Sequence, residues 1–397
     1  KFVDNVLDGG LQYNKGEYQY GVRKSMFYYA PKDFPEGTYS KDIEFGGWES
    51  WNKKEAESPG RSYNYPPVAA AYWVLYRLAR NFDGLVTNHS WKWYLERAVQ
   101  TVIAMDKYAS YYTQFGQMEG TVFVKILEDL KHERWTTFQN QFEAIMKKRA
   151  KHWDELQYPF GSEMPWDSTG QEEVYAWCRY FGFKDKAKVT IDAITGYMPT
   201  VPHWGYNGNA RRYWDFIYAG KLQRIERQIH HYGSGMNAIP ILTAYRDNPA
   251  DFYLLRVGYG GLLGSISNIT IDGFGPCAFH SFAETLKIDG YSGDYGPNFL
   301  GHVLNTRTFI VRHPEWGWIS YGGNMKESKN EISVVPTDSS RSRVYFSFLK
   351  MGIILDAGNI RRISFKKDGT GSINIVLHDL SQSTSNARLR VQQDKNS

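Results

Sequence analysis

The sequence predicts an α+β multidomain fold, a toroid of helical hairpins with an incomplete ring followed by an antiparallel β-sandwich. Three observations lead there. From about residue 66 to residue 265, apolar residues recur at three- and four-residue intervals, the period of a helix with one buried face. Loops containing Gly and Pro divide these stretches, so neighbours pack as antiparallel hairpins. After about residue 281 the runs become short, β-branched and aromatic, with turn residues between them, which is the signature of an antiparallel sandwich. The division expected is 1–60 as an N-terminal strand and loop segment, 61–280 as the helical-hairpin domain and 281–397 as the β-sandwich domain.

Residues 1 to about 60 are rich in Gly, Tyr, Trp and Lys, with turns at Gly9-Gly10 and Gly46-Gly47, and read as strands and loops. The chain opens without Met or a leader, so an upstream region is expected. Val68 to Asn81 reads as a helix, preceded by Pro66-Pro67 where prolines are tolerated. Trp91 to Tyr112 follows, with Asn88 or Ser90 as N-cap. Thr121 to Leu156 carries the strongest helical period, through Val124, Leu127, Leu130, Trp135, Phe138, Phe142 and Ile145. Further helices are expected over Ser168–Phe181, Asp185–Ile194, Asn209–Gln228, Met236–Tyr245 and Pro249–Ser265. Strands are expected over Val303–Val311, Trp316–Tyr321, Glu331–Pro336, Arg343–Lys350, Gly352–Ala357, Ile360–Lys366 and Ser372–His378. The polar tail from Ser381 is expected to fray.

Composition narrows the function. The 397 residues carry a net charge of +5 and 42% hydrophobic residues, and their basic residues are scattered, not gathered into the stripe that nucleic acid requires. No apolar run reaches bilayer length, so no membrane partner is expected. The 13 Trp, 29 Tyr and 22 Phe exceed what an ordinary core needs. Flat rings with polar edges suit sugars, although a large helical core consumes aromatics too. Cys178 and Cys277 could form one disulfide, but both lie in apolar stretches where buried thiols are common. Asn88-His89-Ser90 and Asn268-Ile269-Thr270 match the glycosylation acceptor pattern, a weak signal. Walker, GxSxG and zinc-ligand patterns are all missing, and no metal or cofactor is expected.

Four loops concentrate polar and aromatic residues. Ser62 to Pro67 offers Asn64 at a helix start, where the structural alternative is a cap. Gly161 to Glu173 places Glu163, Trp166 and Glu172 together; Ser168 with Gln171 fits a capping box, which leaves Glu163 and Glu172 as acid or base groups. A carboxyl beside an indole has its pKa raised by desolvation, as a general acid needs. Pro202 to Asp215 brings His203, Trp204, Tyr206 and Asn209 around Gly205 and Gly208. Arg211 and Arg212 then fall on a first helical turn, where the dipole disfavours cations and something negative must compensate. Gln228 to Asn237 supplies His231, Tyr232 and Asn237. His, Tyr and Asn form the set needed to neutralise a carboxylate, remove the adjacent proton and protonate a leaving oxygen.

These loops, with Asp289 to Asn298, resemble the six-hairpin, α/α-toroid carbohydrate-active enzymes, and within them are similar to the L-rhamnose-α-1,4-D-glucuronate lyases. The resemblance spans about residues 60 to 325 and implies a toroid plus β-sandwich acting on a polysaccharide or oligosaccharide, outside the cell or in the periplasm. The expected activity is β-elimination beside a uronate. His231 or His203 would act as base, Tyr206 or Tyr232 as acid or base, and Arg211, Arg212 or Asn237 would neutralise the uronate. Asn64, Trp166, Trp204 and Asn209 would line the substrate. The alternatives are a glycoside hydrolase with Glu163 and Glu172 as paired carboxylates, and a non-catalytic carbohydrate-binding protein.

Overall fold

Helices gather in the first two thirds of the chain and sheets in the last. The computed structural model describes residues 1–42, 45, 50–159, 170–197, 228–267, 280–282, 303–378 and 387–393. The helix expected over Asn209–Gln228 lies outside these residues, apart from its last residue.

The first segment departs from expectation. Among its described residues it forms no strand, only a π-turn at Val3–Leu7, a short helix α1 (Lys53–Glu57) and isolated bridges at Asp8–Gln12 and Gln12–Val22. Val3, Leu7 and Val22 are buried against the helical core, so this segment is a coat on the helices rather than a sheet.

Helix α2 (Tyr65–Asn81) takes Pro66 and Pro67 into its first turn, where the missing N–H costs nothing. It pairs with α3 (Trp91–Tyr108), whose Ser90 cap accepts a hydrogen bond from the Trp93 amide. The long helix expected over 121–156 is two: α4 (Thr121–His132) and α5 (Thr136–Glu155). Arg134 between them stands at φ 60°, a left-handed conformation that ends a helix even though the apolar period runs on. Helices α6 (Gln171–Tyr180) and α7 (Lys184–Tyr197) form the next hairpin, and α8 (His231–Asp247) with α9 (Phe252–Ser267) another. A Cβ on Gly258 would lie 2.7 Å from Leu242 Cγ, so only glycine lets α9 approach α8 this closely. One apolar cluster joins α2 to α7, with Trp73, Trp153 and Trp177 among its largest fully buried side chains. Much of the aromatic excess is therefore core.

A two-stranded ribbon pairs β1 (Gln228–His230) with β2 (His280–Phe282). The C-terminal part holds two larger sheets. One has the order β10-β9-β6-β5, from Asn374–Leu377, Ile360–Lys366, Glu331–Pro336 and Gly323–Glu327. The other runs β11-β8-β7-β3-β4, from Leu389–Gln393, Met351–Leu355, Arg343–Phe346, Thr308–His313 and Gly317–Tyr321. An apolar cluster including Ile310, Phe346, Ile332 and Phe365 draws on both sheets. The pairing is not wholly antiparallel, because β3 and β7 run parallel, Thr308 opposite Val344.

The tail also departs from expectation. Residues 389–393 form β11 along β8, from Leu389 opposite Leu355 to Gln393 opposite Met351. Its Leu389 and Val391 are exposed while Arg390 faces inward to carboxylates, so its alternation runs opposite to the usual apolar-in pattern. Helices and sheets meet at Tyr245, Phe309 and Tyr345, where the Tyr345 hydroxyl donates to the Arg246 carbonyl at 2.9 Å.

Candidate functional site

A cleft of about 460 Å³ opens between the helices and the five-stranded sheet, a volume suited to a small ligand or a few sugar rings. Helices α2, α4, α6 and α8 form one side; the 304–307 segment, Arg343 on β7, Asp356 beyond β8 and Arg390 on β11 form the other.

The helical wall is built on the loop before α4. Arg149 donates from Nη1 to the Thr113 carbonyl and from Nη2 to that of Phe115, at 2.6 and 3.0 Å. Its Nε and Nη2 also grip Glu173, at 2.9 and 2.7 Å. The Gln117 amide donates to the same carboxylate at 2.6 Å. A Cβ on Gly120 would lie 2.5 Å from Glu173 Cγ, so the loop can close on α6 only through a glycine. Glu119, buried in this loop, sits at φ 67°, a conformation costing of order 1 kcal/mol for a residue with a side chain.

Glu172, beside Glu173, is fully buried in the cleft wall. Its Oε2 accepts from the Thr121 amide at 3.0 Å, and Oε1 has no hydrogen-bond partner among the described residues. Burial, first, and then the charges of Glu173 and Glu119 push its pKa well above the usual carboxylate range, while the amides of Thr121 and Gly120 pull the other way. The sizes decide the contest. A helix N-terminus stabilises a nearby anion by about 0.3–2 kcal/mol, whereas burying a lone carboxylate costs several. Burial therefore favours the protonated form of Glu172, the form that has a proton to give.

Cations come from both walls, Arg77 and Lys125 from the helices and Arg343 and Arg390 from the sheet. Arg390 bridges Asp129 at 2.7 Å and Asp356 at 2.9 Å, and Asp129 also accepts from Trp73 Nε1 at 2.8 Å. Arg77 stands 3.6 Å from the other Asp356 oxygen. Lys125 pairs with Glu128 at 3.0 Å, and desolvation lowers its pKa more than that carboxylate raises it. Arg343 differs, since among the described residues it has no carboxylate within ion-pairing distance. It donates to the carbonyls of Val303 and Leu304. Burial and the nearby Arg77 both press its pKa downward, yet a guanidinium stays charged. Seven basic side chains line the cleft against four acidic ones, Glu128, Asp129, Asp356 and Glu172, and burial favours the protonated form of the last. The cleft suits an anion.

One of the four loops reaches the cleft, and the end of another packs beside it. The start of α6 carries Glu172, and the start of α8 reaches the same region: Met236 and Ile239 pack on Met118 and Leu304, and Asn305 in the cleft donates to the Gly235 carbonyl at 2.8 Å. Asn237 is buried on this turn but does not line the cleft. His231 begins α8 with Tyr232 next to it, and their side chains lie outside the described set. Glu163, Trp166, His203, Trp204, Tyr206, Asn209, Arg211 and Arg212 lie outside the described residues altogether. Asn64 is away from the cleft. Its amide donates to the carbonyls of Arg23 and Lys24, both at 2.9 Å, and accepts from Arg61 at 2.7 Å, tying the N-terminal coat to α2. The Cys178 thiol is buried, free and pushed up to about 12 by desolvation, hence inert. Among the described residues no group of side chains is arranged to hold a metal, and no helix is long and apolar enough to cross a membrane.

Sequence reasoning passed over Arg149, Arg343 and Arg390. Arg149 had a readable signal: it shares a stripe with Phe142, Met146, Ala150 and Trp153, and a cation on an apolar stripe requires a buried acid. Arg343 and Arg390 lie on strands, and nothing local marks them as facing the helices.

The chain belongs to DUF5695, a family of unknown function, whose profile matches residues 1–397. Neither a curated protein nor a solved structure matches it.

Proposed function

We propose that this member of DUF5695 is a carbohydrate-active enzyme that cleaves an acidic polysaccharide in the cleft, by β-elimination beside a uronate. The hairpins would then be part of an α/α toroid and the two sheets a β-sandwich, acting on a substrate outside the cell. The observation that carries the reading is Glu172, a buried carboxyl of raised pKa whose Oε1 has no partner among the described residues, in the wall of a cleft rich in arginine.

Elimination needs three things. The uronate carboxylate must be neutralised so that the adjacent C–H becomes acidic, and Arg343 offers a guanidinium with no carboxylate partner among the described residues. A base must take that proton. The loops carrying His203, Tyr206, His231 and Tyr232 would supply it. The electron pair then forms a C=C bond as the glycosidic bond breaks, and Glu172 gives its proton to the departing oxygen.

Glu172 also favours a second reading, since a neutral carboxylic acid is what a glycoside hydrolase uses to protonate its leaving group. Hydrolysis adds water across the bond and leaves no double bond. One experiment separates the two. Acidic and neutral polysaccharides are incubated with the protein, and ultraviolet absorbance and new reducing ends are followed together. Elimination predicts both signals on a uronate polymer and neither on a neutral one. Reducing ends without absorbance would replace elimination with hydrolysis, and neither signal on any polymer would sink the enzymatic reading.

A further inference from the structure

The hairpin joining β3 to β4 carries an indole that the cleft does not use. Trp316 is 70% exposed, a high figure for the largest apolar side chain. It is nonetheless held in place. Its ring stacks on His313 at 4.4 Å and 12°, and the His313 ring lies 4.4 Å from Phe252 on α9. His313 Nδ1 accepts from the amides of Glu315 and Trp316, at 3.2 and 3.3 Å, which fixes the turn itself. An exposed ring already immobilised loses little freedom when it binds.

Beside this ring runs a groove of about 960 Å³, between the hairpin tip, the β5–β6 turn and the end of β9. Its floor is Trp318, whose Nε1 donates to the Lys367 carbonyl at 3.1 Å. On the rim, Lys367 pairs with Glu327. Arg312, Lys329 and Lys366 have no carboxylate within ion-pairing distance among the described residues, and Asp368 is already engaged by the Thr370 amide and hydroxyl at 2.8 and 2.7 Å.

We propose that this groove is a second saccharide site, outside the cleft, in which a sugar ring stacks on Trp316 and its acidic substituent meets Arg312, Lys329 and Lys366. The chemistry is that of an aromatic platform beside cations that form no ion pair among the described residues, with Glu315 and Asp368 also on the groove: the indole takes the C–H face of a pyranose, and the cations take the charge of an acidic polymer. The inference rests on the reading of the chain as a polysaccharide-acting protein. A site here would hold the polymer while the cleft works on another stretch of it.

Affinity electrophoresis through gels containing polygalacturonate, or dextran as a neutral control, tests the site. The intact protein is expected to be retarded by polygalacturonate. Trp316→Ala should weaken that retardation roughly tenfold, the worth of one stacked ring, and Trp316→Phe should keep part of it. Lys366→Glu should weaken it further. Retention lost in Trp316→Ala, with or without cleavage of polygalacturonate, would uphold this site independently of the enzymatic reading. Identical migration of the wild type and Trp316→Ala in polygalacturonate would overturn the site, and retardation by dextran that Lys366→Glu leaves unchanged would overturn its acidic preference.

Discussion

Replacing Glu172 with Gln removes one titrating proton and almost nothing else, so stability against pH reads the state of this carboxyl directly. In the unfolded chain a glutamate releases its proton near pH ~4.3. In the folded chain burial, with Glu173 and Glu119 close by, keeps the proton on to a much higher pH. Below the unfolded pKa both states hold the proton and Glu172 imposes no penalty. As pH rises toward the folded pKa, unfolding releases a proton and stability falls by about 1.4 kcal/mol per pH unit, then levels off. The amide of Glu172→Gln keeps the shape and can still accept from Thr121 through its oxygen, but has no proton to lose. Urea unfolding of both proteins at pH 4, 5, 6 and 7, read by tryptophan fluorescence, should show the variant gaining on the wild type at each step. A difference between the two that stays constant across the series would refute the neutral-acid argument and its role as proton donor.

Three further substitutions probe the scaffold around it. Arg149→Met leaves the Glu173 carboxylate buried without its partner, and should cost about 3–5 kcal/mol in urea unfolding; adding Glu173→Gln should return much of that loss. Gly120→Ala forces a methyl against Glu173 Cγ, and a loss of about 1–3 kcal/mol is expected by thermal denaturation. Arg390→Leu strips Asp129 and Asp356 of their shared cation, so amide hydrogen exchange in 389–393 and 351–355 should quicken while that of β6 and β9 stays unchanged.

What could be read in advance followed the rank of the signals. Glu331–Pro336 and Ile360–Lys366 fall where alternation and turn residues put them, because one face of each meets a shared apolar core. Periodicity could not see the break at Arg134, since apolar residues continue on both sides of a backbone inversion. It also misread the tail, where Arg390 rather than an apolar residue faces inward, held by ion pairs that a local pattern cannot contain. At the site, the loop ending in Gln171–Glu173 carries Glu172, whose pKa is raised, while Glu163 lies outside the described residues. The largest cause of that rise is desolvation by burial, with the charges of Glu173 and Glu119 adding to it, and Trp166 lies outside the described residues. The arginines of the facing wall come from strands far along the chain from the helices they face, a separation at which no spacing rule operates.

The most direct trial of the cleft as a catalytic site is the fall in viscosity of a uronate polysaccharide solution under wild-type protein and under Glu172→Gln, each shown folded by circular dichroism. With Glu172 donating the proton, the variant should cut at least about a hundredfold more slowly than the wild type. Equal rates for the two proteins would contradict the account and move the chemistry elsewhere in the molecule.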